Sequence, residues 1–202
     1  MEFNDIKIDF CGYAFCKSTF YTVHDCSNRE FHFTKGVNRL EGEIDDGIFG
    51  ISYIISMYDY LKKTEKESFS SPHEAIVNGS SMKMSELTKY SCYLDTSYPL
   101  LSSNKPIIYL IKKGLSKTAL SYTADEILEL FKIQAHHHYS SIKQSGNEKF
   151  KAMAAISFCF GKDVFCFPWL SKSRYKAFNN HMPFLLDLLA SLDKTIILPI
   201  GK

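Results

Sequence analysis

Residues 33–60, FTKGVNRLEGEIDDGIFGISYIISMYDY, read as a strand, a glycine-bearing turn and a helix. Val37 to Leu40 lead in, and Gly42 and Gly47 bracket a tight loop. Ile48, Phe49, Ile51, Ile54, Ile55 and Tyr58 then recur at helical spacing. Gly42-x4-Gly47 is the glycine frame of a phosphate-binding loop, G-x-x-x-x-G-K-[ST]. The next two positions should be Lys and Ser or Thr; here they are Ile48 and Phe49. The scaffold of a nucleotide site is kept and its chemistry is missing.

On the N-terminal side, residues 1–35 predict an antiparallel β subdomain. Ile6, Ile8 and Phe10 alternate, as do Phe31 and Phe33. On the C-terminal side, residues 61–74 are polar, hold Pro72 and predict a loop. Ala75 to Gly79 predict a short strand entering a turn, Ser85 to Tyr90 a helical turn, and Ser91 to Leu94 a second short strand. Pro106 opens a helix with two lysines in its last turn and Gly114 at its stop. Thr123-Ala-Asp-Glu126 is a capping box, so a helix starts there with Ile127, Leu128, Leu130 and Phe131 inward. Ser145-Gly-Asn-Glu148 opens another helix, running from Lys149 to about Phe160. Asp163-Val-Phe-Cys-Phe167 is a short, continuous apolar run, the pattern of a parallel strand covered on both faces. Phe184 to Ala190 are helical, and Thr195 to Leu198 form a last buried strand. Loop, helix and buried strand alternate, which predicts an α/β sandwich with mainly parallel central strands.

Composition narrows the function classes. The chain has 202 residues, enough for one large domain that buries about 70% of its unfolded surface. The net charge of +2 gives no global attraction for polyanions, so no nucleic-acid partner is expected. No signal-peptide pattern opens the chain, and no run of about 18 apolar residues spans a membrane. The six cysteines form no CxxC pair. Cys11, Cys16 and Cys26 beside His24 can be drawn as a metal cluster, but buried thiols in a reducing compartment are the plainer reading. His136, His137 and His138 point about 100° apart on a helix, so they do not converge on one ion, and a solvated connector is expected. No metal site is assigned.

The order of elements resembles the nucleotide-binding domain of ABC-type ATPases, over roughly residues 5–200. LEGEIDDGIFGIS is similar to the Walker A position, with Gly42 and Gly47 kept. AIVNGSSMKMSELTKYSCYL resembles the segment before the Q-loop, whose glutamine falls near Asp95 or Thr96. QSGNEKFKAMAAISFCF resembles the LSGGQ signature and its helix, with Ser145 and Gly146 kept and Asn147 and Glu148 altered. DVFCFPWL resembles the Walker B strand with Pro168-Trp169 in place of Asp-Glu, and TIILPIGK the switch strand without its histidine.

The resemblance implies a P-loop NTPase-like, ABC ATPase-type three-layer sandwich. It is expected as a single domain over residues 1–202, with an antiparallel subdomain at 1–35 and a helical insertion at about 100–150. Its vestigial phosphate loop comprises Gly42, Asp45, Asp46, Gly47, Ile48 and Phe49, and its signature-like turn Ser145 and Gly146. No catalytic residue is assigned. Glu43, Asp45 and Asp46 set carboxylates where a triphosphate would lie, and at ~4 Å one like-charge pair is unfavourable by on the order of 4 kcal/mol. Pro168 ligates no metal and Trp169 is no base. Phe49 and Trp169 are expected to pack into the vacated space. Lys149 and Lys151, like Lys172 and Arg174, are expected on solvated helix faces.

Three functions follow from this reading. The first is a degenerate ABC-transporter ATP-binding subunit, needing no cofactor and acting through an active ABC ATPase subunit, a membrane permease or a homodimer, in the cytoplasm or at the inner face of the membrane. An exposed apolar patch near residues 160–170 would favour it. The second is an active subunit that binds ATP and magnesium with charge supplied by Lys35, Arg39 or a partner. The third is a stand-alone interaction module reusing the fold.

Overall fold

Two four-stranded sheets organise the chain in a computed structural model that describes residues 3–10, 15–17, 20–23, 29–43, 48–64, 71–178 and 182–202, with the backbone alone at 15–17, 20–23 and 49. The first sheet is antiparallel. It holds β1 (Asp5–Asp9), β4 (Glu30–Thr34), β6 (Glu74–Val77) and β7 (Ser80–Lys83), in the order β4-β1-β6-β7. Alternation makes it half-buried: Ile6 and Ile8 face inward opposite Phe33 and Phe31, and Ala75 and Val77 continue the face. Asn78 and Gly79 both have positive φ, 50° and 79°, the backbone that a two-residue β-hairpin requires. Strand β7 carries no alternation and was not predicted. Only Met82 turns inward, and the strand is held by its ladder to β6. A separate hairpin pairs β2 (Phe15–Lys17) with β3 (Phe20–Val23).

The second sheet is parallel throughout. It holds β5 (Gly36–Glu41), β8 (Ser91–Tyr93), β9 (Val164–Cys166) and β10 (Thr195–Ile200), in the order β5-β10-β9-β8. All residues of β8, β9 and β10 are buried, as the continuous apolar runs require of strands covered on both faces. Pro199 sits in β10 with no N–H to donate, beyond the last paired residue of β9. Continuing the register places it opposite Pro168, past the end of β9, and its carbonyl accepts the Leu170 amide at 3.0 Å.

Helices cover the sheets. They are α1 (Ile48–Thr64), α2 (Met84–Tyr90), α3 (Ile107–Leu115), α4 (Ala124–Leu130), α5 (Lys149–Cys159), α6 (Lys172–Ala177) and α7 (Met182–Ser191). Helix α1 runs one turn further than the polar composition of residues 61–64 suggests, because Leu61 is fully buried and pulls that turn onto the core. The predicted capping box forms as read: the Thr123 hydroxyl accepts the Glu126 amide and Glu126 accepts the Thr123 amide. Residues 107–148 hold no strand, only α3, α4 and three short 3-10 turns. No helix among the described residues is long and apolar enough to cross a membrane.

Cys92, Cys159 and Cys166 are free and buried. Burial pushes the Cys92 and Cys159 thiols up to about 12 and the Cys166 thiol well above its ordinary value. Burial also raises the Tyr93 and Tyr98 hydroxyls. Two results are expected. At pH 8 these three thiols resist a thiol reagent in the native protein and react on unfolding. In the unfolded chain the thiols ionise near about 8.5 while the folded ones stay neutral, so stability declines as pH rises from about 9 towards 12. Denaturant midpoints at pH 8 and pH 10.5 check the sign, with the lower midpoint at pH 10.5.

Candidate functional site

The carboxyl ends of four parallel strands converge on one edge of the second sheet, where open α/β folds bind their ligands. Gly42 follows β5, Leu94 follows β8, Phe167 follows β9 and Gly201 follows β10. The start of α5 reaches the same edge, because the Phe150 and Phe167 rings lie 5.6 Å apart. Sequence positions 42, 95, 146 and 168 are therefore gathered at one end of the molecule.

Gly42 is buried, and its amide donates to the Ile200 carbonyl at 3.0 Å. Asp45, Asp46 and Gly47 lie outside the described residues, as do Cys11, His24 and Cys26. Ile48 is 2% exposed, so the position where a phosphate-binding lysine would stand is part of the core. Phe49 lies in the first turn of α1.

Strands β5 and β9 do not touch; β10 runs between them. Trp169 bridges them. Its indole Nε1 donates to the Gly42 carbonyl at 3.1 Å, crossing over the end of β10. Gly201 leaves room for that crossing: a Cβ there would stand 3.0 Å from Trp169 Cζ2, a tight contact. Beside it, the Lys202 amide donates to Glu43 Oε1 at 3.2 Å. Nothing in the sequence marked Gly201 or this last contact, since a glycine that yields room to a distant ring has no local signature. On the β8 side, Asp95 accepts the Ser97 amide at 2.8 Å and forms a tight turn.

The signature-like turn is built inward. Ser145 is fully buried, and its hydroxyl donates to the Ile142 carbonyl at 2.6 Å. Gly146, at φ 54°, and Asn147 are the exposed positions. Of Lys149 and Lys151, expected on a solvated helix face, Lys149 is half-buried and Lys151 corrects the expectation. The Glu148 and Lys151 side chains are 6% and 9% exposed and pair at 3.3 Å. Lys151 Nζ also donates to the Lys132 carbonyl at 3.2 Å, and the Gln134 amide donates to Glu148 Oε2 at 3.0 Å. The pair ties the segment after α4 to the start of α5. Lys172 and Arg174 are exposed, as expected.

Two further expectations change. Lys35 stands at the amino end of β5, roughly 20 Å of extended chain from Gly42, and lies 3.9 Å from Asp193, so it supplies no charge to the loop. The apolar run at 164–167 is interior, as is Leu170, so the exposed patch looked for at 160–170 does not exist. Of the three histidines, His136 and His137 set their rings 4.0 Å apart, while His138 Nε2 lies 2.9 Å from the Ile133 carbonyl.

No protein-family model matches the chain, and no curated protein matches its sequence. Solved structures do. A Pyrococcus furiosus chain assigned as an ABC transporter ATP-binding protein superposes with a TM-score of 0.63 at 12% identity, covering 98% of this chain and 91% of its own. The chain has the ABC ATPase fold. The Clostridium perfringens protein cbiO1, part of the ABC transporter complex cbiONQ, gives 0.60 at 10% identity, covering 98% and 78%. A dimeric ATP-binding cassette in a post-hydrolysis state with ADP and phosphate gives 0.61 at 12% identity, covering 97% and 87%. At such identities the likeness is one of fold: an antiparallel sheet, a parallel sheet and helices in the ABC ATPase arrangement.

Proposed function

We propose that this chain is a non-hydrolysing ABC-type subunit, a single domain over residues 1–202 that acts through a protein partner rather than by turning over ATP. The observation that carries the reading is the Trp169 indole bound to the Gly42 carbonyl. Phosphoryl transfer in this fold class depends on electrostatic positioning: a lysine on the phosphates, a hydroxyl on magnesium, and carboxylates at the end of the Walker B strand. Here the lysine position is the buried Ile48, and the strand β9 leads into Pro168 and Trp169. An aromatic ring anchored to the loop's first glycine holds the two halves of the site together without a nucleotide. The carboxylates of Glu43, Asp45 and Asp46 oppose a triphosphate further.

The inward Ser145 hydroxyl also bears on the partner. It supports engagement through surfaces other than a signature hydroxyl offered to another subunit's ATP. A permease at the inner face of a membrane, or an active ABC ATPase subunit, is the class of partner this fold fits.

Thermal unfolding with and without millimolar Mg-ATP tests the reading. A site occupied at 100 times its dissociation constant adds about 2.7 kcal/mol, or roughly 5–10 °C for a chain of this size. The expected result is no shift of the midpoint and no phosphate release above buffer. A rise of several degrees, or turnover that follows protein concentration, overturns it.

A further inference from the structure

Strand β5 is an edge. Among the described residues it pairs with β10 alone. The Gly36 amide donates to the Lys194 carbonyl and the Gly42 amide to the Ile200 carbonyl. Backbone groups alternate in direction along a parallel ladder, so residues 36, 38, 40 and 42 face β10. Val37, Arg39 and Glu41 turn their N–H and C=O groups outward. The same three side chains are exposed, Val37 at 38%. Such an edge is a template for another strand. The opposite edge of this sheet, β8, is fully buried, and the outer strand β7 of the first sheet carries one charged residue, Lys83.

The charges on β5 select the strand that fits. Two copies of Gly36–Glu41 laid antiparallel about a two-fold axis at Leu40 bring position 39 opposite position 41, twice. Both positions have their backbone groups free to exchange hydrogen bonds, and both side chains lie on the exposed face. Arg39 then stands across from Glu41 of the other copy on each side of the axis. A slip of one residue in each copy brings Arg39 against Arg39 or Glu41 against Glu41, which is repulsive. Neither residue is held in an ion pair among the described residues. An antiparallel strand added to a parallel sheet is a common arrangement.

We propose that this chain self-associates edge to edge, β5 against β5 of a second copy, antiparallel about Leu40, with Arg39 of each copy paired to Glu41 of the other. The two four-stranded parallel sheets join into one continuous sheet. The inference does not rest on the proposed loss of ATP hydrolysis, because the edge is formed by backbone geometry whether or not nucleotide binds.

Light scattering on the full chain, over a concentration series from micromolar to submillimolar, tests it. The wild-type chain is expected to dimerise. Arg39→Glu and Glu41→Arg each place like charges opposite one another at two positions and are expected to weaken the dimer by about tenfold or more. The double variant Arg39→Glu/Glu41→Arg restores opposite charges and is expected to return to within about threefold of wild type. The neutral variants Arg39→Gln and Glu41→Gln give the same reading with milder changes, should a reversed charge disturb folding. A wild-type chain that stays monomeric throughout overturns the proposal. So does a dimer that none of the single variants weakens, or a double variant no tighter than the singles.

Discussion

Gly114→Ala is expected to destabilise the protein by about 2–3 kcal/mol, lowering the thermal midpoint by roughly 5–10 °C. Local propensity argues the opposite sign. Glycine inside a helix is about 1 kcal/mol worse than alanine, and Gly114 lies inside α3, which continues to Leu115. Packing reverses the sign. A Cβ at Gly114 would stand 2.7 Å from Cys159 Cβ, 2.8 Å from Phe160 Cδ2 and 2.9 Å from the Cys159 carbonyl carbon. Two of those three atoms cannot rotate away, so α3 and α5 must separate. The loss falls on a core that includes Ile107, Ile111, Ile156 and Phe158. Chemical denaturation of the variant measures it. A variant as stable as wild type would mean that the helices separate at negligible cost.

The second large effect is at the buried ion pair. Lys151→Met leaves the Glu148 carboxylate buried, with the Gln134 amide as its remaining partner, and should destabilise by about 3–5 kcal/mol. The double variant Lys151→Met/Glu148→Gln removes both charges and keeps an oxygen for the Gln134 amide. It should recover to within about 1–2 kcal/mol of wild type, since an apolar replacement of a buried pair is often near neutral. Unfolding free energies of the two single variants and the double form the cycle. Additive single effects would show that the two charges do not stabilise each other. Local order at the signature-like turn should follow the same pattern: in Lys151→Met, the amides of residues 145–148 lose hydrogen-exchange protection, and in the double variant they regain it.

These two sites also mark where reading the chain as a string stops. Periodicity reports which side of an element is apolar, and it placed most of the fold. Val164–Cys166 and Thr195–Ile200 are apolar at every position because both faces of the parallel sheet are covered. Ile6, Ile8, Phe31 and Phe33 alternate because one face of the antiparallel sheet is not. The Thr123 and Glu126 cap is a contact between neighbours in sequence, so it too was legible. The replaced loop residues, Ile48 and Pro168-Trp169, were visible as departures from a motif with fixed spacing.

What the sequence determined by itself, then, is the element order, the burial of its strands and the identity of the residues that follow Gly47 and the β9 strand, Ile48-Phe49 and Pro168-Trp169. The tertiary structure alone decided the contacts between distant segments. Lys151 looks like any lysine on a helix until the Lys132 carbonyl and Glu148 meet it in the interior. Gly114 looks like a stop signal until α5 crosses it. Trp169 and Gly42 are 127 residues apart and meet only because β10 inserts between β5 and β9. That β5 pairs with β10 alone among the described residues follows from the same strand order. The physical reason is common to all of them. Burial of a local face is favoured by side chains that repeat along one element, whereas a buried charge, a close helix crossing or an unpaired strand edge depends on which element lies alongside. That choice is settled by the packing of the whole chain.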